Sequence, residues 1–321
     1  MRLRLLHRSY GGENRKNRPA YYSKLLCLAS FIRAAEQVPD AEVLFLNDGP
    51  IPADRLRLME RAGEVVSLGD QPGGMRASYR FALDLPARRG WPADDVVSFN
   101  EDDYLFTEDA FLTLRNGAER LPQASYFALY AGEPDYDDPN SRRQFSLPRG
   151  WRPEPSVDFP GEHWWHHPSI TSTFSARVGA VEADRGIFAQ AMVPFRRRFL
   201  DHETCLLYQG VVPYHGFEYL IGLPDDFQPT LRGVVRTIVL IPFRVALNLR
   251  ALTRRKDPHR LYAVGPTRAS HLEDEVVSTD RDWPTVAREV VDWLRERGDE
   301  EAAATIEADL MSPSTPRREA G

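Results

Sequence analysis

The sequence predicts an α/β protein with a mainly parallel central sheet flanked by helices, and three observations carry that expectation. Short apolar runs of strand length recur through the first hundred residues: "RLRLL", "AEVLFLNDG", "EVVSLG" and "DDVVSFN". Between them lie segments whose apolar residues fall at helical spacing. The runs end on turn residues, as at Asn47-Asp48-Gly49. Strands alternating with helices favour parallel pairing, because each crossover helix covers a face of the sheet.

In order, "RLRLL" is a strand followed by the polar loop "HRSYGGENRKNRP". "AYYSKLLCLASFIRAAEQ" places Leu25, Leu28, Ala29 and Ile32 on one face of a helix. After the second strand, "IPADRLRLMERAG" reads as a short helix, with a proline near its start and a glycine after its end. The third strand leads into the helix "GGMRASYRFALDLPARRG", and the fourth runs straight into Glu101, Asp102 and Asp103. The middle, "EPDYDDPNSRRQFSLPRGWRPEPSVDFPGEHWWHHPS", reads as a long loop or an excursion over a cleft. Helices follow it, and the end of the chain, 298–321, starts helical and closes as a frayed Ser/Pro/Arg tail.

With 321 residues, 42% of them hydrophobic, the chain buries a sizeable core. A net charge of −6 gives no basic excess to neutralise phosphates, so nucleic acid is not an expected partner. Cys27 and Cys205 make no disulfide framework and no CxxC pair. The opening residues lack the apolar core of a signal peptide, which makes the cytoplasm the expected location. Residues 230–256 are too interrupted by Arg232, Arg236, Arg244, Arg250 and Pro242 to span a bilayer. Two readings stay open there: a basic amphipathic segment on anionic lipid at the inner face of the membrane, or a core-packed helix pair with its arginines in solvent.

Ligands of an open parallel sheet bind outside the carboxyl ends of the strands. Glu101, Asp102 and Asp103 stand at such an end, and residues i and i+2 of an extended segment share a side, so Glu101 and Asp103 can converge. Two converging carboxylates call for a cation, and hard ions such as Mg²⁺ or Mn²⁺ favour oxygen ligands. The bland alternative is a solvated acidic turn. Asp48 ends the second strand, where it can accept hydrogen bonds from a ribose hydroxyl or a base N–H. Gly73 and Gly74 permit close backbone approach to a ligand, or make an ordinary turn, while Arg76 and Arg80 can oppose phosphate charge.

The order of "VLFLNDG", "ASYRFALDL" and "VVSFNEDDYLF" resembles that of family 2-like glycosyltransferases of the GT-A fold, over residues 3–111. The resemblance implies that Asp48 contacts the nucleoside, and that Glu101, Asp102 and Asp103 take the role of a metal-binding DxD motif, with Asp103 the direct ligand. It implies a nucleotide-diphosphate sugar as donor, Mn²⁺ or Mg²⁺ as cofactor, and a glycan, lipid-linked or small-molecule acceptor. One domain then divides into a nucleotide-sugar half (1–115), an acceptor half (116–225) and a C-terminal helical extension (226–297). The first strand departs from the family pattern, ending in "HRSYGGEN".

In inverting members an acid near the start of a helix deprotonates the acceptor hydroxyl. The nearest counterpart is "FLDHETCLLYQG", with Asp201 and Glu203 ahead of an apolar run, where an acid can equally cap the helix. His271 in "RASHLEDE" resembles a late metal-binding histidine of some GT-A enzymes, and His215 competes for that role. "GEHWWHHPS" reads as an acceptor-binding loop whose tryptophans stack on sugars, or as packed loop core; its His163, His166 and His167 lack zinc-site spacing. The sequence thus points to a metal-dependent glycosyltransferase. The rivals are a nucleotidyltransferase, for which "GGENRKNRP" would be the triphosphate loop, and a non-catalytic sugar- or lipid-binding module.

Overall fold

The computed structural model describes residues 1–13, 16–144, 147–192, 200–222 and 230–311. Its first half runs β1 (Leu3–Tyr10), α1 (Lys24–Glu36), β2 (Glu42–Asp48), α2 (Ala53–Ala62), β3 (Glu64–Ser67), α3 (Met75–Arg89), β4 (Val96–Glu101), β5 (Tyr104–Phe106), α4 (Ala110–Arg120) and β6 (Ala124–Ala128). It continues through α5 (Pro139–Gln144), β7 (Val157–Phe159), β8 (Glu162–His166), β9 (Phe174–Arg177), α6 (Val178–Ala191), α7 (Asp201–Tyr208) and α8 (Glu218–Ile221). The last elements are α9 (Leu231–Val239), α10 (Ile241–Arg254), β10 (Arg260–Gly265), β11 (Ala269–His271), α11 (Trp283–Glu296) and α12 (Glu300–Met311).

Local chemistry sets the ends of these elements. Ser23 starts α1 by accepting a hydrogen bond from the Leu26 amide, 3.1 Å away, which satisfies one of the free N–H groups of the first turn. Gly90 ends α3 in the left-handed region (φ 62°), which glycine enters without steric cost.

The main sheet has nine strands in the order β3-β2-β1-β4-β9-β6-β10-β8-β7. Strands β3, β2, β1 and β4 are mutually parallel, and β10 is parallel to β6, while β9 and β8 oppose their neighbours. The predicted α/β class with a mainly parallel sheet is thus observed. Helices α1, α4, α11 and α12 pack on one face around Phe31, Phe111 and Trp283, all buried. Helices α3, α6, α7 and α10 cover the other around Tyr79, Phe188 and Leu247. The parallel register pairs Arg8 with Glu101 and Tyr10 with Asp48, so the carboxyl ends of β1, β2 and β4 form one edge.

Three expectations need correction. "GEHWWHHPS" is not a loop with tryptophans offered to a ligand: β8 buries Trp164 at 0% and Trp165 at 4% exposure, because alternate strand residues meet cores on both faces of the sheet. The segment 226–297 is not purely a helical extension, since β10 enters the sheet between β6 and β8. In 230–256 the core-packed reading, with arginines in solvent, fails at Arg244, which is buried at 1% exposure while many of the apolar residues face out. The frayed end of the tail, 312–321, lies outside the described residues.

Candidate active site

The edge formed by β1, β2 and β4 is built from backbone N–H groups and buried charge. Asp48, 5% exposed, accepts hydrogen bonds from the Gly73 and Gly74 amides at 2.6 and 2.9 Å. It thereby fixes the chain entering α3, where Gly74 has φ +85° and empty space around it. Arg76, half-buried, and Arg80, exposed, follow in the first turns of α3.

The three consecutive acids do not share one partner. Glu101 pairs with Arg8 (2.6 Å) and accepts a hydrogen bond from the Ser172 hydroxyl (2.8 Å). Asp102 accepts from Lys24 Nζ at 2.8 Å and from the Tyr10 amide at 2.9 Å. Lys24 also donates to the Tyr10 carbonyl, so this buried pair ties the start of α1 to the end of β1. Asp103 accepts from Arg18 at 3.0 Å, with Lys16 at 4.0 Å, and lies 3.1 Å from His271 Nε2. The solvated-turn alternative therefore does not describe them: Asp102 and Asp103 are buried and Glu101 is half-buried.

His271 arrives through the ribbon β5–β11, whose antiparallel register sets it opposite Tyr104. Its ring stacks on Tyr104 (centroids 4.8 Å, interplanar 6°), and the Leu272 amide donates to the Asp103 carbonyl. Burial opposes ionisation of Asp103, but the hydrogen bond and charge of His271 and the charge of Arg18 outweigh it and hold the carboxyl well below its usual range.

Asp103 also bears on whether a metal fits. Its Oδ1 is buried and accepts no hydrogen bond from the described residues, while Oδ2 carries the His271 contact. Glu273 is 3.6 Å from that nitrogen but is held by Lys16 at 2.7 Å. Among the described residues, no group of three or more His, Cys, Asp or Glu side chains can hold a metal ion by itself. Asp103 and His271 thus offer a pair of ligands, a number that suits a hard divalent ion completing its sphere with substrate oxygens. Glu101 has Oε1 taken by Arg8 and Oε2 by Ser172, and Asp102 Oδ2 is held by Lys24 and the Tyr10 amide, so neither faces His271 as Asp103 does. His215 lies elsewhere, against the Val212 carbonyl and the Glu218 carboxylate.

Asp201 and Glu203, neighbours on α7, go to different places. Asp201 is half-buried and lines a small hollow with Tyr79, Ile170, Thr171, Phe174 and Thr204. Tyr79 links that hollow to the edge: the Arg8 guanidinium lies over its ring at 5.2 Å, and the charges of Asp201, Arg8 and Glu101 all act on its buried hydroxyl. Glu203 is fully buried and accepts a hydrogen bond from the Tyr214 hydroxyl at 3.0 Å. Sequence reasoning missed Arg8, Arg18, Lys24 and Tyr79. Arg8 had a signal, since it aligns with Glu101 once β1 and β4 are taken as parallel neighbours. The loop residue Arg18 had none. Of the loop considered for a triphosphate, Lys16 is turned onto Glu273 and Arg18 onto Asp103, while Arg15 lies outside the described residues.

A comparison with protein-family models matches none, and a comparison with curated proteins likewise returns no match. Among solved structures the chain is similar to S. aureus TarS (TM-score 0.41, 10% identity), covering 97% of this chain and 43% of that one. It is similar to the mannosyltransferase PcManGT from Pyrobaculum calidifontis in complex with GDP-Man and Mn²⁺ (TM-score 0.40, 13% identity, 96% of this chain and 79% of that one). It is also similar to M. tuberculosis glucosyl-3-phosphoglycerate synthase (TM-score 0.36, 10% identity, 80% and 81%). This chain therefore spans less than half the length of the TarS structure.

Proposed function

We propose that this chain is a glycosyltransferase that moves a sugar from a nucleotide-diphosphate donor to an acceptor hydroxyl. The observation that carries the reading is the meeting of Asp103 and His271 at the carboxyl edge of the sheet, with Asp103 Oδ1 buried and accepting no hydrogen bond from the described residues. A bound Mn²⁺ or Mg²⁺ would neutralise negative charge growing on the diphosphate leaving group. Asp103 and His271 would hold the ion, and Arg18 and Lys16 place positive charge beside Asp103.

Asp48 keeps the Gly73–Gly74 backbone open, and the nucleoside end of the donor lies against that loop, with Arg76 and Arg80 toward its phosphates. Asp201 is the group that takes the acceptor proton if the reaction inverts configuration. Its place on the hollow beside Tyr79 and Thr171 supports that role, whereas Glu203 is sealed in the core. The hollow has room for about one water, so a glycan, lipid-linked or small-molecule acceptor would meet Asp201 at its mouth.

The test is a thermal-shift series with UDP- and GDP-sugars, with and without Mn²⁺, on the parent chain and on Asp103→Asn. The reading expects a metal-dependent rise in melting temperature for at least one donor, absent in the variant. It fails if no nucleotide sugar stabilises the parent with Mn²⁺, or if Asp103→Asn responds as the parent does.

A further inference from the structure

Helices α9 and α10 are inverted relative to ordinary surface helices. On α9, Leu231, Val234, Val235, Ile238 and Val239 recur at i, i+3, i+4, i+7 and i+8, and all face solvent, with Leu231 85%, Ile238 59% and Val239 69% exposed. The residues turned inward are Gly233 and Thr237. An apolar stripe with that spacing normally faces the core. Helix α10 shares the arrangement in part: Val245, Leu249 and Leu252 are exposed, while Arg244 and Asn248 are buried beside the core residues Leu247 and Ala251.

Both inward polar residues are hydrogen-bonded. Arg244 donates to the carbonyls of Tyr219, Leu220 and Thr237, which locks the ends of α8 and α9 together. Asn248 bonds to the amide and carbonyl of Tyr214. The outward apolar face is thus fixed by internal hydrogen bonds. Phe217, 80% exposed, and Leu220 of α8 extend it.

We infer that this face docks on an anionic lipid surface. The charge around it selects that occupant: residues 230–256 contain no Asp or Glu, in a chain whose net charge is −6. Arg232, Arg236, Arg250, Arg255 and Lys256 are at least partly exposed, whereas Arg244 is turned inward and Arg254 pairs with Asp184. At about 100° per residue, Arg232 and Arg236 lie along one border of the α9 stripe, placed to reach lipid phosphates while the stripe enters the acyl boundary. Arg255 and Lys256 are exposed at the end of α10. A second copy is disfavoured as the cover, because a two-fold contact would set Arg232 and Arg236 against the same cations with no acid in the segment to answer them. No described helix is long and apolar enough to cross a membrane, so the contact lies in the interface plane.

The inference is independent of the proposed transferase activity and is tested by co-sedimentation of the full chain with vesicles. Phosphatidylcholine vesicles containing phosphatidylglycerol should bind it, and phosphatidylcholine alone should bind much less. Val235→Asp with Ile238→Asp should abolish binding, and Arg232→Glu with Arg236→Glu should weaken it at least roughly 30-fold. All four positions are at least partly exposed, so each pair should keep the parent's circular dichroism and melting temperature. Absence of binding to anionic vesicles overturns the inference, as does binding that both variant pairs leave unchanged. A parent dimer that the Val235→Asp, Ile238→Asp pair converts to monomer overturns it in favour of self-association.

Discussion

His271 Nε2 lies 3.1 Å from Asp103 Oδ2, a contact between residues 168 positions apart in the chain. Asp103 follows the end of β4, and His271 closes β11, so the two-stranded ribbon β5–β11 is what joins them.

Removing either member should separate donor binding from folding. His271→Ala should abolish Mn²⁺-dependent stabilisation by nucleotide sugar and lower turnover by roughly a hundredfold or more, in the range seen when a charge-stabilising group is lost. Isothermal titration with Mn²⁺ and a nucleotide sugar measures the binding. Unchanged metal dependence in this variant would remove His271 from the site.

The Lys24–Asp102 pair makes a different prediction. Both residues are buried, and truncating Lys24 leaves the Asp102 charge with only the Tyr10 amide to answer it. Lys24→Ala should cost about 3 kcal/mol in urea unfolding. A loss below about 1 kcal/mol would mean that water reaches Asp102.

Gly74 isolates backbone conformation from packing. A Cβ there meets nothing within 4 Å, yet φ is +85°. With ψ at 166° the residue lies in a region essentially closed to any residue with a Cβ, so Gly74→Ala should destabilise by about 2 kcal/mol from backbone strain, and Gly74→Asn by as much. Equal stability of Gly74→Ala and the parent, read from thermal melts, would show that the loop relaxes.

On α7, Asp201→Asn should lower turnover while leaving the melting temperature close to the parent's. Glu203→Gln should do the reverse, because the fully buried Glu203 holds the Tyr214 hydroxyl. Loss of stability in Asp201→Asn with activity per folded molecule retained would argue for a cap rather than a base.

Acid should weaken the fold through its buried histidines. Burial lowers His166 and His167 from 6.5 to about 4. Between those values the unfolded chain takes up protons that the folded chain refuses, so stability is full above about pH 6.5 and falls as pH drops toward about 4. His167→Gln should flatten that slope in urea melts run across this window. An unchanged slope would show that His167 is charged in the fold.

What the sequence made legible follows from distance along the chain. Apolar runs and helical spacing disclosed β1 to β4 and the helices between them, and with them the edge carrying Asp48 and Glu101, because each of those elements is written locally. Strand β8 was hidden because Trp164 and Trp165 are both apolar and both buried, on opposite faces, so no alternation marks the run. Arg18 and Lys24 escaped notice because a buried cation is identified by its partner, and Asp103 and Asp102 lie far off in sequence. His271 was noticed through a family pattern, but its distance from Asp103 depends on a β5–β11 register that periodicity does not encode. For α9 the spacing was plain and its direction was not: the same stripe can face a core or the outside, and the inward Gly233 and Thr237 show that it faces out.

The position of β10 has a consequence for how the chain is made. Strand β8, with β7 beyond it, reaches the rest of the sheet through β10. A ribosome must therefore release residues 260–265 before β6 gains its outer neighbour and the Trp164 hairpin has a place to attach. Until then the growing polypeptide displays an open strand edge, which binds other chains readily. Shortening the gene from its 3′ end past that point should yield aggregates rather than a smaller soluble domain.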